Sequence, residues 1–205
     1  MRRSVLLGGL LAALLVTPAV AQTIGTPVFH SPYRAFQRSE LGGYLSDPGE
    51  GVSLAVQGEY RMAQPSFDWG VTLGYIDPEG DVEGVIGAGV DGRIKLARHT
   101  QDFPLDLSGI AGFGVLFRDG DVGFGIPLGV SLGRQVQLEN SKVTFTPYVA
   151  PTLIPVFGDD NVVGDDAQFG LGLGVDIGLS PRLDVRVSGS LGDIEGVGIG
   201  LAWHR

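Results

Sequence analysis

Residues 169–180 read FGLGLGVDIGLS, with a large apolar side chain at every second position: Phe169, Leu171, Leu173, Val175, Ile177 and Leu179. The intervening positions are glycine, broken only by Asp176 and the final Ser180. Successive side chains of a strand point to opposite sides, so a period of two marks a strand with two unlike faces. The same period recurs in ten segments, near 38–45, 52–62, 67–75, 82–96, 105–117, 122–132, 143–153, 169–179, 183–191 and 197–203. The connections between them are mostly short and rich in Asp, Gly, Pro and Asn, the residues that supply turn geometry. Short connections favour an antiparallel meander over helical crossovers.

The two faces decide what surrounds the sheet. One carries Val52, Leu54, Val56, Trp69, Val71, Phe124, Ile126, Phe145, Val187, Ile199 and Trp203, and no charged residue. In a chain with 18% charged residues, a face free of charge over nine strands is not chance. The other face is rich in glycine and holds Glu59, Arg61, Asp68, Asp91, Arg93, Lys95, Asp106, Asp176, Asp184 and Arg186. A soluble sandwich would turn this second face to water, where glycine packs nothing and weakens the strand. The inverse assignment accounts for more. The apolar face meets lipid, where a charge costs roughly 2–4 kcal/mol at mid-membrane, and the glycine-rich face lines a narrow interior. Backbone groups in lipid must all be paired, so the sheet must close. The expected fold is therefore all-β, a closed antiparallel transmembrane β-barrel, up-and-down, of ten strands in preference to eight. Its lumen would hold the charged set as a salt-bridged plug, with the lining of a pore as the alternative.

Charge also separates the two ends. Alternate connections, "SDPGEG", "DPEGD", "RDGD", "VFGDDNVVGDD" and "GDIE", are acidic, with Arg118 as their only base. The opposite connections are mixed or basic, near Arg98, His99, Arg134, Lys142 and Arg182. With both barrel ends on the periplasmic side, the acidic loops lie outside, and the longest of them fits the longer external loops of such barrels. Phe67, Trp69, Tyr75, Phe117, Phe145, Phe169 and Trp203 fall near segment ends and would form interfacial girdles.

Upstream, Arg2 and Arg3 precede an apolar run from Val5 to Val16 and the small-residue site Ala19-Val20-Ala21. This reads as a secretory signal peptide over 1–21, and it implies export to the outer membrane. Residues 22–37 form a proline-containing lead-in. A loose segment is the preferred reading, and a plug tucked into the lumen through Val28, Phe29 and Tyr33 is the alternative. The barrel occupies 38–205. There is no cysteine, so no disulfide or thiolate metal site exists. The net charge of −9 repels nucleic acid.

The leader, the dyad strands and the closing strand GVGIGLAWHR (196–205) together resemble small bacterial outer-membrane β-barrel proteins, the broad class that includes OmpA-type barrel domains. The resemblance implies a Gram-negative cell envelope, contact with outer-membrane lipid, insertion by the barrel-assembly machinery and a monomer. In that class the last strand usually ends on an aromatic residue. Here His204 and Arg205 follow Trp203. The class spans adhesins, anchors, porin-like channels and lipid enzymes, so fold alone selects no function.

Local chemistry is sparse. GAGVDG (87–92) matches a phosphate-loop pattern, but it lies inside a strand and opens no helix, which such a site requires. Asp159, Asp160, Asp165 and Asp166 could offer oxygen ligands to calcium. Their spacing is not that of an EF-hand, and a solvated acidic loop is the preferred reading; no other cofactor is expected. His30 and Ser31 are adjacent, yet neighbours in extended chain rarely face each other, so no catalytic residues are assigned. The expected role is structural or surface-interactional. A narrow channel is the first alternative and a lipid-modifying enzyme the second.

Overall fold

The computed structural model describes residues 26–32, 37–49, 51–163 and 167–205. The leader at 1–21 and residues Tyr33, Asp165 and Asp166 lie outside the described residues. Thirteen strand segments follow one another: β1 Glu40–Asp47, β2 Val52–Ala63, β3 Phe67–Pro78, β4 Val85–Ala97, β5 Asp106–Arg118, β6 Asp121–Gly125, β7 Leu128–Gly133, β8 Val136–Gln137, β9 Thr144–Ile154, β10 Val156–Gly158, β11 Gln168–Ser180, β12 Leu183–Gly192 and β13 Gly196–His204. They form ten staves, because β6, β7 and β8 are one interrupted stave and β9 with β10 another. The breaks between β6 and β7 and between β9 and β10 fall at Pro127 and Pro155, which have no N–H to give the ladder, and the break between β7 and β8 at Arg134 and Gln135. The proline carbonyls keep the sheet continuous: Pro127 accepts from the Gly112 amide at 2.9 Å and Pro155 from the Ile126 amide at 3.0 Å.

Every neighbouring pair is antiparallel. β5 pairs with both β6 and β7, and these pair in turn with β10 and β9. The sheet closes where β1 meets β13, in register from Glu40 opposite His204 to Asp47 opposite Val197. The fold is thus an all-β, closed ten-stranded antiparallel barrel. At one end the β5–β6 hairpin turns on Asp119 and Gly120, at φ 46° and 91°. Those two positive angles make a two-residue turn whose twist matches the strands.

Burial is inverted relative to a soluble protein. Leu73 is 63% exposed and Val197 62%, whereas Arg61 is 1% exposed and Asp184 fully buried. Apolar side chains form the outer belt, and the charged residues line the inside. One position departs from the sequence reading. Val52 points inward, not to lipid, because the register slips between Val52 and Leu54 opposite Pro78 and Asp77. That bulge adds one residue to the strand and reverses the facing of everything before it.

Two girdles of half-exposed aromatics flank the belt. Phe67, Trp69 and Trp203 lie toward the end that holds the barrel's termini, and Tyr75, Phe117 and Phe169 toward the acidic loops. Phe145 joins the first group but is only partly exposed. Phe113 and Phe124 stack on the outside at 5.9 Å.

The purified protein should migrate faster in detergent gels unboiled than boiled, since the closed barrel survives the detergent until heated. Leu73→Arg, on the outer belt midway along β3, should cost roughly 2–4 kcal/mol in lipid vesicles, read from urea unfolding by the fluorescence of Trp69 and Trp203.

Candidate functional site in the barrel lumen

The lumen is filled in three ways. Near the acidic loops it is apolar. Val52, Ala55, Ile76, Val85, Leu116, Ile154 and Val156 from the wall enclose Val162, Val163 and Ile194, which the loops send inward. Asp159 shapes the loop that carries two of these. Its carbonyl accepts from the Val162 and Val163 amides at 2.9 and 3.1 Å, and its carboxylate from the Val122 amide at 2.7 Å. Asp159 therefore serves as a turn organiser, and Asp160 beside it is exposed.

Further in, charges pair. The Arg61 guanidinium reaches Glu59 at 2.5 Å, Asp68 at 2.6 Å and Asp91 at 2.7 Å. Arg93 shares Asp68 through Nε at 3.1 Å. Beside this cluster Arg186 holds Glu40, the cross-strand neighbour of Arg61, bidentately at 2.8 and 2.7 Å, and donates to the Tyr44 hydroxyl at 2.6 Å. Its Nε lies 3.6 Å from Asp176. His204 meets Asp184 at 2.8 Å and Glu40 at 3.4 Å. A bidentate fork is the strongest form such pairing takes. Isolated charges could not be held here, because burying an unpaired ion is prohibitive.

The third filler is residues 26–32. The loose lead-in preferred from sequence is, over these residues, a buried segment inside the barrel: each of them is buried. Phe29 packs with Tyr148 and Ala150. His30 joins the two charge clusters, with Nε2 3.2 Å from Glu59 and Nδ1 3.4 Å from an Arg186 N–H. Ser31 donates to Asp176 at 2.6 Å, and Thr26 hydrogen-bonds Gln57. The adjacent His30 and Ser31 therefore address different wall residues.

This packing explains the glycines of β11. Gly170 faces Ile194, Gly172 faces the Phe29 ring and Gly174 faces the Tyr148 ring, and a Cβ at any of the three would overlap its neighbour. Gly200 and Gly42 make the same room for Tyr44, and Gly70 for Arg61. The inner positions are glycine because bulk comes from cross-strand neighbours, Tyr148 beside Gly174, Tyr44 beside Gly200 and Arg61 beside Gly70, and from the inserted Phe29 and the loop residue Ile194.

Of the charged residues read from sequence, Glu59, Arg61, Asp68, Asp91 and Arg93 come together in one cluster, and Asp176 and Arg186 in the other. Asp184 reaches the second cluster through His204. Two others sit apart. Asp106 pairs with His99 at 3.1 Å at the terminal mouth, and the Lys95 ammonium donates to the Pro65 carbonyl at 3.2 Å. Sequence reasoning missed Glu40, Tyr44, His204 and His30. Parity could have found the first three: Glu40 and Tyr44 share the face of Gly42, and His204 follows the outward Trp203.

His30, Glu40 and Glu59 bring three metal-ligating atoms within 4.8 Å of one another. Arg186 already occupies both Glu40 oxygens and faces His30, so a cation would have to displace a guanidinium. At the terminal mouth a cavity of about 350 Å³ is lined by Gln37, Arg38, Gln135, Gln137, Lys142, Thr144, Ser180, Pro181 and His204.

These features define a membrane β-barrel of the outer-membrane type. No protein-family model matches the sequence, and no curated protein does. Among solved structures, the chain resembles the β domain of the Bordetella autotransporter Brka, with a TM-score of 0.53 and 14% identity over 81% of this chain and 82% of that one. At that identity the likeness concerns the fold alone. A de novo designed transmembrane β-barrel aligns over 83% of this chain and 97% of its own, at 14% identity and a TM-score of 0.39, too loose a match to argue from.

Arg61→Leu should destabilise the barrel by about 3–5 kcal/mol, because Glu59, Asp68 and Asp91 lose their shared cation; urea unfolding in vesicles measures it. Gly172→Val should expel the Phe29 ring, leaving a barrel whose residues 26–32 become cleavable by added protease while those of the wild type resist.

Proposed function

We propose that this chain is a non-catalytic integral protein of the outer membrane, with a structural or surface-contact role and a lumen closed to solutes. The single observation that carries this reading is the filling of the lumen by residues 26–32, by the paired charges and by the apolar cap. In this reading residues 1–21 direct export, the barrel-assembly machinery inserts a monomer, and outer-membrane lipid covers the apolar belt. The acidic loops face outward and supply the contact surface.

The absence of catalysis is part of the proposal. It is supported by the arrangement of His30 and Ser31, which engage Glu59 and Asp176 separately and form no nucleophile–base pair. The narrow-channel alternative requires residues 26–32 and the cap to leave the lumen.

In planar bilayers the wild-type protein should give no steady openings. Steady openings that disappear when Asp176 and Arg186 are both changed to alanine would establish the channel instead. Membrane lipids extracted with and without the protein should be identical in composition; a changed acyl pattern would overturn the non-catalytic assignment.

A further inference from the structure

A polypeptide inside a closed barrel meets a particular difficulty. The wall's own N–H and C=O groups are spent on the ladder, so an inserted chain cannot add a strand and must find its partners among side chains. Residues 26–32 find them at four of their carbonyls. Ser188 donates to the Pro27 carbonyl at 2.7 Å, Tyr148 to the Phe29 carbonyl at 2.7 Å, Ser131 to the His30 carbonyl at 2.8 Å and Arg93 to the Ser31 carbonyl at 3.4 Å. All four donors are buried.

The segment is suited to a wall that donates. Its sequence is TPVFHSP, and Pro27 and Pro32 carry no N–H that would need an acceptor. The Val28 amide is satisfied within the segment, by the Thr26 carbonyl at 2.8 Å. One side chain is given a shaped seat: Phe29, between Tyr148 and Ala150 and over Gly172.

We propose that the lumen is a peptide-binding tunnel that takes non-helical, proline-containing segments with an aromatic residue two positions after a proline, and that residues 26–32 are its resident ligand. Recognition rests on the main-chain carbonyls and the aromatic seat. The site goes beyond a passive filler, because a tunnel that holds this segment through generic peptide groups also takes another copy of it, or a segment of like pattern, supplied in trans. It stands apart from whether the barrel conducts.

The test inserts a protease site between Gln37 and Arg38 of the full chain and cleaves it after assembly. The freed N-terminal fragment should stay with the barrel through size-exclusion chromatography, and a labelled TPVFHSP peptide should exchange into its place. Release should be at least about tenfold faster from a barrel carrying Ser188→Ala, Tyr148→Phe and Ser131→Ala, given the usual net worth of three hydrogen bonds. The labelled peptide with alanine in place of its phenylalanine should bind about tenfold or more weaker, and one with alanine at the His30 and Ser31 positions should still bind. The boiling-dependent gel shift verifies that each barrel is closed, and where the triple variant lacks it, Ser188→Ala alone carries the comparison with a smaller increase. Immediate loss of the fragment from the unaltered wall overturns the proposal. So does equal retention by the altered wall, or binding that fails once the His30 and Ser31 side chains are replaced.

Discussion

The pairing of β1 with β13 is the contact on which the rest depends. Without it the sheet would present two rows of unpaired backbone groups to lipid, where nothing can satisfy them. With it, all main-chain groups of the staves turn to one another, and the two faces become separate problems. The outside needs only apolar surface, which the alternation supplies. The inside needs a filling that is chemically matched, since water is largely excluded and the wall's backbone offers nothing.

The filling is divided by chemistry along the axis. At the acidic-loop end the wall is aliphatic, and the loops insert Val162, Val163 and Ile194 into it. Through the middle the wall is charged, and its arginines are shared among carboxylates that outnumber them. Glu40, Glu59, Asp68, Asp91, Asp176 and Asp184 face Arg61, Arg93 and Arg186, and His30 and His204 complete the pairing. Buried ion clusters of this kind contribute little net stability beside an apolar core of equal volume, because desolvation offsets attraction. What they form is one polar network that the wall and the inserted segment both touch. His30 illustrates this, since its two ring nitrogens face groups that belong to different clusters.

The glycine content links these observations. In a soluble strand so many glycines would weaken the sheet. Here Gly172, Gly174 and Gly200 are seats for Phe29, Tyr148 and Tyr44. Wall and contents form one packed unit, with the wall thin where the contents are thick.

The alternation by itself pointed to the closed barrel, the apolar belt and the inward set of charges, and the charge of the connections favoured ten strands over eight. The first three follow from local parity and the cost of placing charge in lipid, and parity is written directly in the sequence. The facing of Val52 was lost because a bulge breaks parity without leaving a compositional mark. Which charge meets which, and what occupies the space above the glycines, was decided only in three dimensions. Glu59 and Arg61 lie two residues apart, but Arg186 and Glu40 are joined only because the first and last staves are brought side by side. Residues 26–32 carry no periodicity at all. Their place inside the barrel arises from a vacant, donor-lined volume that exists only once the sheet has closed.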